Sequence, residues 1–263
     1  MLEARHLIKS YSGIPAVADV SFQVRRGEVL GYLGPNGSGK STTVKMLTGL
    51  MEPDRGHVCL DGEDIHADLP GYKRRLGYVP EEPNLYPYLS GAEYLTLVGT
   101  LRGIGARTLR AKIDRLMRLF SLYKERYAAM SSYSKGMRQR VLIMAALLHD
   151  PDVLIFDEPL SGLDVTSAAI FRNLLSELAL RGKVILYCSH VLEVVEKVCS
   201  HVLVLNRGRC VAHDSIEHIR ARADYLSLEQ SFATLVNEPD TQAIAAEIVD
   251  CMKSHDTQTA AAR

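Results

Sequence analysis

Three shortages bound what this chain can be. It has no net charge, with Lys+Arg and Asp+Glu each numbering 31 in 263 residues, and hydrophobic residues make up 47%. That balance excludes an intrinsically disordered chain and a globally basic nucleic-acid binder. Long apolar runs are also missing. The longest, near Val141 to Leu148, falls well short of the roughly 18 to 20 residues a membrane span requires. The opening MLEARHLIKS has no apolar signal core, so the expectation is a protein neither secreted nor embedded. Cysteine is scarce, with Cys59, Cys188, Cys199, Cys210 and Cys251 forming no C-x-x-C pair. An odd set without that spacing suggests neither a disulfide framework nor a zinc knuckle, and reads as buried or incidental thiols in a reducing cytosol. There is no internal repeat and no low-complexity tract.

What is present is an alternation of segment types. Short apolar runs at Val29 to Leu33, Val153 to Phe156, Val184 to Tyr187 and His201 to Leu205 have the length and β-branched content of buried strands. Helical stretches lie between them, which predicts an α/β domain with a largely parallel central sheet. From Pro80 to His149 the pattern turns to helix alone, introduced by Pro80-Glu81-Glu82-Pro83-Asn84 and Pro87, and reads as a helical insertion. After Arg207-Gly208 a short hairpin and further helices follow. Ile244, Ile248, Val249 and Met252 recur at helical spacing, predicting a last helix whose apolar stripe docks on the main body. The boundaries are then 1–208 for the main domain, with the helical insertion at about 84–150, 209–253 for a C-terminal accessory segment, and 254–263 for a disordered, frayed tail.

Charge is segregated. Arg102 to Arg140 holds eleven Lys/Arg against only Asp114 and Glu125, whereas Pro151 to Ile170 holds four acids and no base. The basic run reads as a solvated helical face, as a face toward a membrane partner and anionic headgroups, or as a nucleic-acid surface. Few aromatics accompany it, which counts against the last.

The chemistry begins at Gly34-Pro35-Asn36-Gly37-Ser38-Gly39-Lys40-Ser41, which fits G-x-x-x-x-G-K-[ST] between the strand Val29 to Leu33 and a helix carrying Val44, Leu47 and Leu50. Glycines let successive N–H groups turn toward phosphate oxygens, and the helix start near Ser41 and Thr42 adds its positive dipole end. Lys40 would reach the β- and γ-phosphates, and the Ser41 hydroxyl would ligate Mg²⁺. The second apolar strand ends in Asp157-Glu158, at the sheet edge where open α/β folds hold nucleotides. Alone, such a pair is equally a solvated loop. Behind a phosphate loop, Asp157 would take the metal and Glu158 would orient or deprotonate the attacking water.

With these motifs in this order the sequence resembles the nucleotide-binding subunit of ATP-binding cassette (ABC) transporters, from Leu2 to about Gly208. Tyr133-Ser134-Lys135-Gly136-Met137-Arg138-Gln139-Arg140 lies where that family carries its signature motif. Ser161-Gly162-Leu163-Asp164 matches the loop after the catalytic glutamate, and Cys188-Ser189-His190 matches the switch histidine. Tyr11 stands where the family stacks an aromatic ring on adenine, and Tyr78-Val79-Pro80-Glu81 where it has its coupling loop. The resemblance implies a P-loop NTPase with a mostly parallel central sheet, an N-terminal antiparallel β subdomain and an inserted helical subdomain. It implies ATP and Mg²⁺ as cofactors, with Ser41, Asp157 and Glu81 on the metal and Glu158 and His190 catalytic. It further implies a head-to-tail dimer in which Ser134, Lys135 and Gly136 touch the partner's nucleotide and Asp164 lies in the dimer loop.

Each role also has a local reading. Ser134 is a cap for a helix running to Leu148 with Met137, Val141, Met144 and Leu148 as its buried stripe, and an exposed helix start binds phosphate. Asp164 is equally a cap for the helix through Phe171, Leu174, Leu175 and Leu178, stopped at Gly182. The chain departs from the family pattern at Glu81, where the family has Gln, at Lys135 for a signature Gly, and at Met137 for the signature Gln. A Glu still ligates Mg²⁺ but adds negative charge beside the phosphates, which Lys135 offsets across a dimer. The resulting expectation is an ATP-hydrolysing subunit of an exporter, a homodimer or paired with a related ATPase subunit. It would be docked at the cytoplasmic face of the cell membrane on a separate permease, with no nucleic-acid partner. The rivals are a non-transport cytosolic ABC ATPase, for example in cofactor assembly, and a P-loop kinase.

Overall fold

Side-chain alternation along the strands explains how the molecule is layered. A computed structural model describes residues 1–83, 85–221, 232, 236 and 241–253. Strands β1 (Leu2–Tyr11), β2 (Ile14–Val24), β4 (Arg55–Leu60) and β5 (Glu63–Asp64) form an antiparallel sheet in the order β2-β1-β4-β5. The second sheet contains β3 (Val29–Leu33), β6 (Leu76–Val79), β7 (Val153–Asp157), β8 (Val184–Cys188), β9 (His201–Asn206) and β10 (Arg209–Ser215). Its order is β10-β9-β3-β8-β7-β6, parallel except for the edge strand β10.

Because successive side chains point to opposite faces, β3 serves two cores at once. Leu30 and Tyr32 join the core shared with the antiparallel sheet and with α1 (Lys40–Leu47), while Val29 and Leu33 join the core on the other face. That second core is completed by α5 (Lys135–Leu147), α6 (Val165–Leu180) and α7 (Leu192–Val198). All five residues of β3, β7 and β8 are buried, as strands covered on both faces must be. The four strands read from the sequence are all present. The additional parallel strand β6, against β7, comes from a run too short and too mixed to stand out.

Between β6 and β7 the chain is helical, with α3 (Gly91–Leu101), α4 (Ala106–Leu119) and α5 around a third core that includes Leu95, Leu109, Ile113, Met117 and Met144. Ser90 starts α3 with a full capping box to Glu93, a reciprocal use of two otherwise unpaired donors. The expected insertion is therefore present, apart from Asn84, which lies outside the described residues. Within the basic run, the guanidinium groups of Arg118 and Arg126 stand 3.5 and 3.8 Å from the centre of the Tyr123 ring.

The β9–β10 hairpin turns on Arg207 and Gly208, both at positive φ (47° and 75°), as a two-residue turn matching strand twist requires. Next come α8 (Ile216–Ala221) and α9 (Thr241–Lys253). Helix α9 forms as its periodicity predicts, but Ile244, Ile248, Val249 and Met252 are all exposed. The expected docking of that stripe is corrected, since helical spacing fixes which residues share a face and not what covers it. The tail 254–263 lies outside the described residues. Leu50 also departs from expectation. Helix α1 ends at Leu47, and Leu50 sits past its end, 62% exposed. Among the described residues, no helix is long and apolar enough to cross a membrane.

Candidate active site

The loop between β3 and α1 is built around backbone conformations and close approaches that suit glycine. Gly37 and Gly39 have φ of 77° and 105°. A Cβ on Gly39 would run into the Ala16 carbonyl, and one on Gly34 into the Leu205 carbonyl. The loop is thus clamped between β2 and the end of β9. Gly208 adds a further tie by donating its N–H to the Ser38 carbonyl at 2.9 Å. Helix α1 begins at Lys40 with no side-chain cap and no acid in its first turn, so its first N–H groups and positive dipole end remain available to an anion. Lys40 Nζ donates to the carbonyls of Gly34 (2.6 Å) and Pro35 (3.1 Å), which holds the ammonium across the loop.

A cleft of about 780 Å³ opens over this loop, lined by Gly34, Pro35, Asn36, Gly37, Gly39, Lys40, Ser41 and Thr42 on one side. Glu81, Asp157, Glu158 and His190 line it as well. One cavity therefore gathers residues that lie far apart in the chain. Ser38 is the exception in the loop, being buried with its hydroxyl unpartnered among the described residues; it supports the loop from beneath and does not line the cleft. Tyr11 is also outside the lining. It ends β1, exposed, with its hydroxyl on Met51 Sδ at 3.3 Å.

Asp157 closes β7 and is buried, and its carboxyl is pushed up to about 6 by burial, then by the nearby Glu81 and Glu158 charges, with Lys40 opposing. A carboxylate so resisted by its neighbours wants a cation. Glu158 follows in the left-handed region at φ 47°, a conformation uncommon outside glycine. This twist turns its side chain to the end of β8. Oε1 accepts from the His190 backbone N–H at 2.8 Å and lies 2.7 Å from His190 Nδ1, and Oε2 accepts from the Ser189 hydroxyl at 3.1 Å. With an ionised carboxylate as acceptor, the imidazole proton of that contact sits on Nδ1.

The signature residues are elsewhere. Ser134 caps α5 by accepting from the Met137 N–H at 3.2 Å. Ser134 and Lys135 are exposed, and none of Ser134, Lys135 and Gly136 lines the cleft of their own chain. Gly136 is buried because α5 packs there on the loop after Glu158, where a Cβ would strike the Gly162 carbonyl. Gln139, fully buried, donates from Nε2 to the Pro159 carbonyl at 3.1 Å, and its Oε1 has no partner among the described residues. An unpaired buried acceptor costs about 1 to 3 kcal/mol. Asp164 caps α6 through Ser167, accepting from its N–H at 2.9 Å and from its hydroxyl at 2.8 Å.

A family model described as ABC transporter matches residues 17–161. The chain belongs to the ABC transporter ATP-binding family. Among curated relatives, it is 37% identical over 207 residues to the ABC transporter ATP-binding protein NatA of Bacillus subtilis, covering 78% of this chain and 84% of that one. It is 37% identical over 221 residues to Nod factor export ATP-binding protein I of Cupriavidus pinatubonensis, covering 82% of this chain and 68% of that one. A solved ATP-binding subunit of an ABC transporter superposes with a TM-score of 0.84 at 33% identity, over 89% of this chain and 99% of that one. A dimeric cassette bound to ADP and Pi, at 24% identity and TM-score 0.76, shares the fold over 82% of this chain and 98% of that one.

This ABC subunit is an ATP-binding ATPase, and four cleft or support residues were not foreseen from its sequence. Ala16, Ser189 and Leu192 line the cleft, and so does Phe232, an aromatic ring supplied by the C-terminal segment. Only Ser189 had a readable signal, as a hydroxyl immediately before the expected histidine. Ala16, Leu192 and Phe232 are ordinary apolar residues whose placement depends on tertiary packing.

Proposed function

We propose that this ATPase powers a membrane exporter as a head-to-tail dimer, homodimeric or paired with a related ATPase subunit. It acts at the cytoplasmic face of the cell membrane on a separate permease. The supporting observation is a division of parts. The cleft assembles the phosphate loop with Asp157, Glu158 and His190, while the exposed helix start at Ser134 stands outside that cleft's lining and is available to a second nucleotide. Export as the direction is supported by the likeness to a Nod factor export ATP-binding protein.

The residues present suit Mg²⁺. Ser41, Asp157 and Glu81 are hard oxygen donors on one cleft, and Asp157 is a carboxylate short of positive charge. Among the described residues no three His, Cys, Asp or Glu side chains form a cage of their own. That agrees with an ion that keeps phosphate oxygens and waters among its ligands. Bound there, Mg²⁺ would neutralise developing phosphate charge. The protein's own groups do the rest. The N–H groups of the loop and α1 hold the phosphates, Lys40 leans over them, and Tyr11, exposed on the same hairpin as Ala16, offers a face for the base. Glu158 orients the attacking water and takes its proton, with His190 holding the carboxylate in place. Ser134, Lys135 and Gly136 reach the partner's γ-phosphate, and Asp164 lies at the dimer contact.

The test is Glu158→Gln. Turnover is expected to fall by about 10² to 10⁴-fold, the range a positioned general base supplies, while ATP drives a stable dimer seen by light scattering. ATP hydrolysis at the normal rate by that variant would refute the assignment. Affinity capture from detergent-solubilised membranes is expected to bring down a protein with several apolar spans. Capture of soluble proteins alone would favour a cytosolic, non-transport ATPase.

A further inference from the structure

The signature helix and the catalytic loop are distant in sequence, yet α5 grips that loop at two points. Gly136 abuts the Gly162 carbonyl. One turn further on, Gln139 donates to the carbonyl of Pro159, the residue directly after Glu158. Packing alone does not call for an amide at position 139, because the side chain is fully buried and Oε1 meets no donor among the described residues. An apolar side chain of the same length would fill the space without leaving an acceptor unmatched. The amide orientation follows from the contact itself, since only Nε2 can face a carbonyl oxygen. Proline locks φ, so few soft torsions separate the Pro159 carbonyl from the backbone of Glu158. That backbone is already held in the left-handed region, where small rotations re-aim the carboxylate.

We propose that Gln139 is a positioning residue for Glu158 of its own chain. The Nε2–carbonyl bond to Pro159 holds the backbone that aims the Glu158 carboxylate. The proposal rests on the reading that Ser134 serves the partner's nucleotide and Glu158 the chain's own.

Gln139→Met preserves length and removes the donor. Gln139→Glu preserves shape and sets a carboxyl oxygen against the carbonyl. Both are expected to lower kcat roughly 10- to 100-fold, the scale of a misplaced catalytic group. KM for ATP and the thermal midpoint of the Met variant are expected to stay as in the parent. The decisive arm uses mixed dimers in which one chain carries Lys40→Ala, so that a single cleft holds ATP. Placing Gln139→Met in the chain whose Glu158 works is expected to slow turnover, and placing it in the chain that only lends Ser134 is expected to leave it intact. The reverse pattern, or an unchanged kcat for Gln139→Met, would overturn the proposal. Glu158→Gln is run alongside; if it hydrolyses ATP normally, the reading of Glu158 fails first, and if it is inactive while Gln139→Met is fully active, only the role of Gln139 fails.

Discussion

His190 Nδ1 lies 2.7 Å from Glu158 Oε1, and the His190 backbone N–H bonds the same oxygen at 2.8 Å. The side chain and main chain of one residue thus hold one atom of the carboxylate, leaving Oε2 with Ser189 alone among the described residues. Of the two oxygens, Oε2 is the one with a lone pair free for a water.

His190→Ala removes the imidazole and keeps the backbone donor. Turnover is expected to fall about 10²-fold, at the low end of general acid–base effects, with KM for ATP little changed. Steady-state phosphate release against ATP concentration checks it, and a rise in KM at full kcat would place His190 in binding instead.

The close approach of Gly136 to the Gly162 carbonyl leaves no space for a methyl group. Gly136→Ala favours a helix intrinsically by about 1 kcal/mol, yet it overpacks this contact, which typically costs about 1 to 3 kcal/mol. Urea unfolding is expected to show a net loss of stability, with a matching loss of ATP-driven dimerisation.

Asp164→Ala deletes the cap of α6, whose carboxylate is held below its usual range by the N–H and hydroxyl of Ser167. A loss of stability is expected by equilibrium denaturation. Asp164→Asn, which keeps the acceptor, is expected to recover most of it.

His149 is pushed down to about 4 by burial, then by the nearby Arg102 charge, although its Nε2 bonds the Leu76 carbonyl at 3.0 Å. Above its ordinary value of 6.5 it is neutral folded and unfolded. As pH falls from 6.5 to 4 the unfolded chain takes up a proton that the folded chain refuses, so stability is lost across that window. His149→Gln is expected to flatten the decline, measured as unfolding free energy at pH 7 and at pH 4.5. An identical slope in the variant would remove His149 as its source.

Much of this arrangement was readable in the sequence because its signals are local. The glycine spacing at 34–39 and the caps Ser134 and Asp164 depend on neighbours a few residues away, and each forms as expected; the hairpin expected after Arg207-Gly208 instead turns on those two residues. The buried strands were legible from apolar runs covered on both faces. What the sequence hid depends on distant chain segments meeting. The Gln139 bond to Pro159 spans 20 residues and the Ser189 bond to Glu158 spans 31, with no periodicity to announce either. The left-handed turn at Glu158 was equally silent, because glutamate gives no conformational cue. The exposed stripe on α9 shows the converse, a clear pattern whose covering surface no pattern specifies.

The clamping of the phosphate loop has a kinetic consequence. With Gly34 and Gly39 wedged against strand carbonyls and Ser38 tied to Gly208, little of the receptor must be frozen when a triphosphate arrives. Association with ATP should therefore be quick and weakly dependent on temperature.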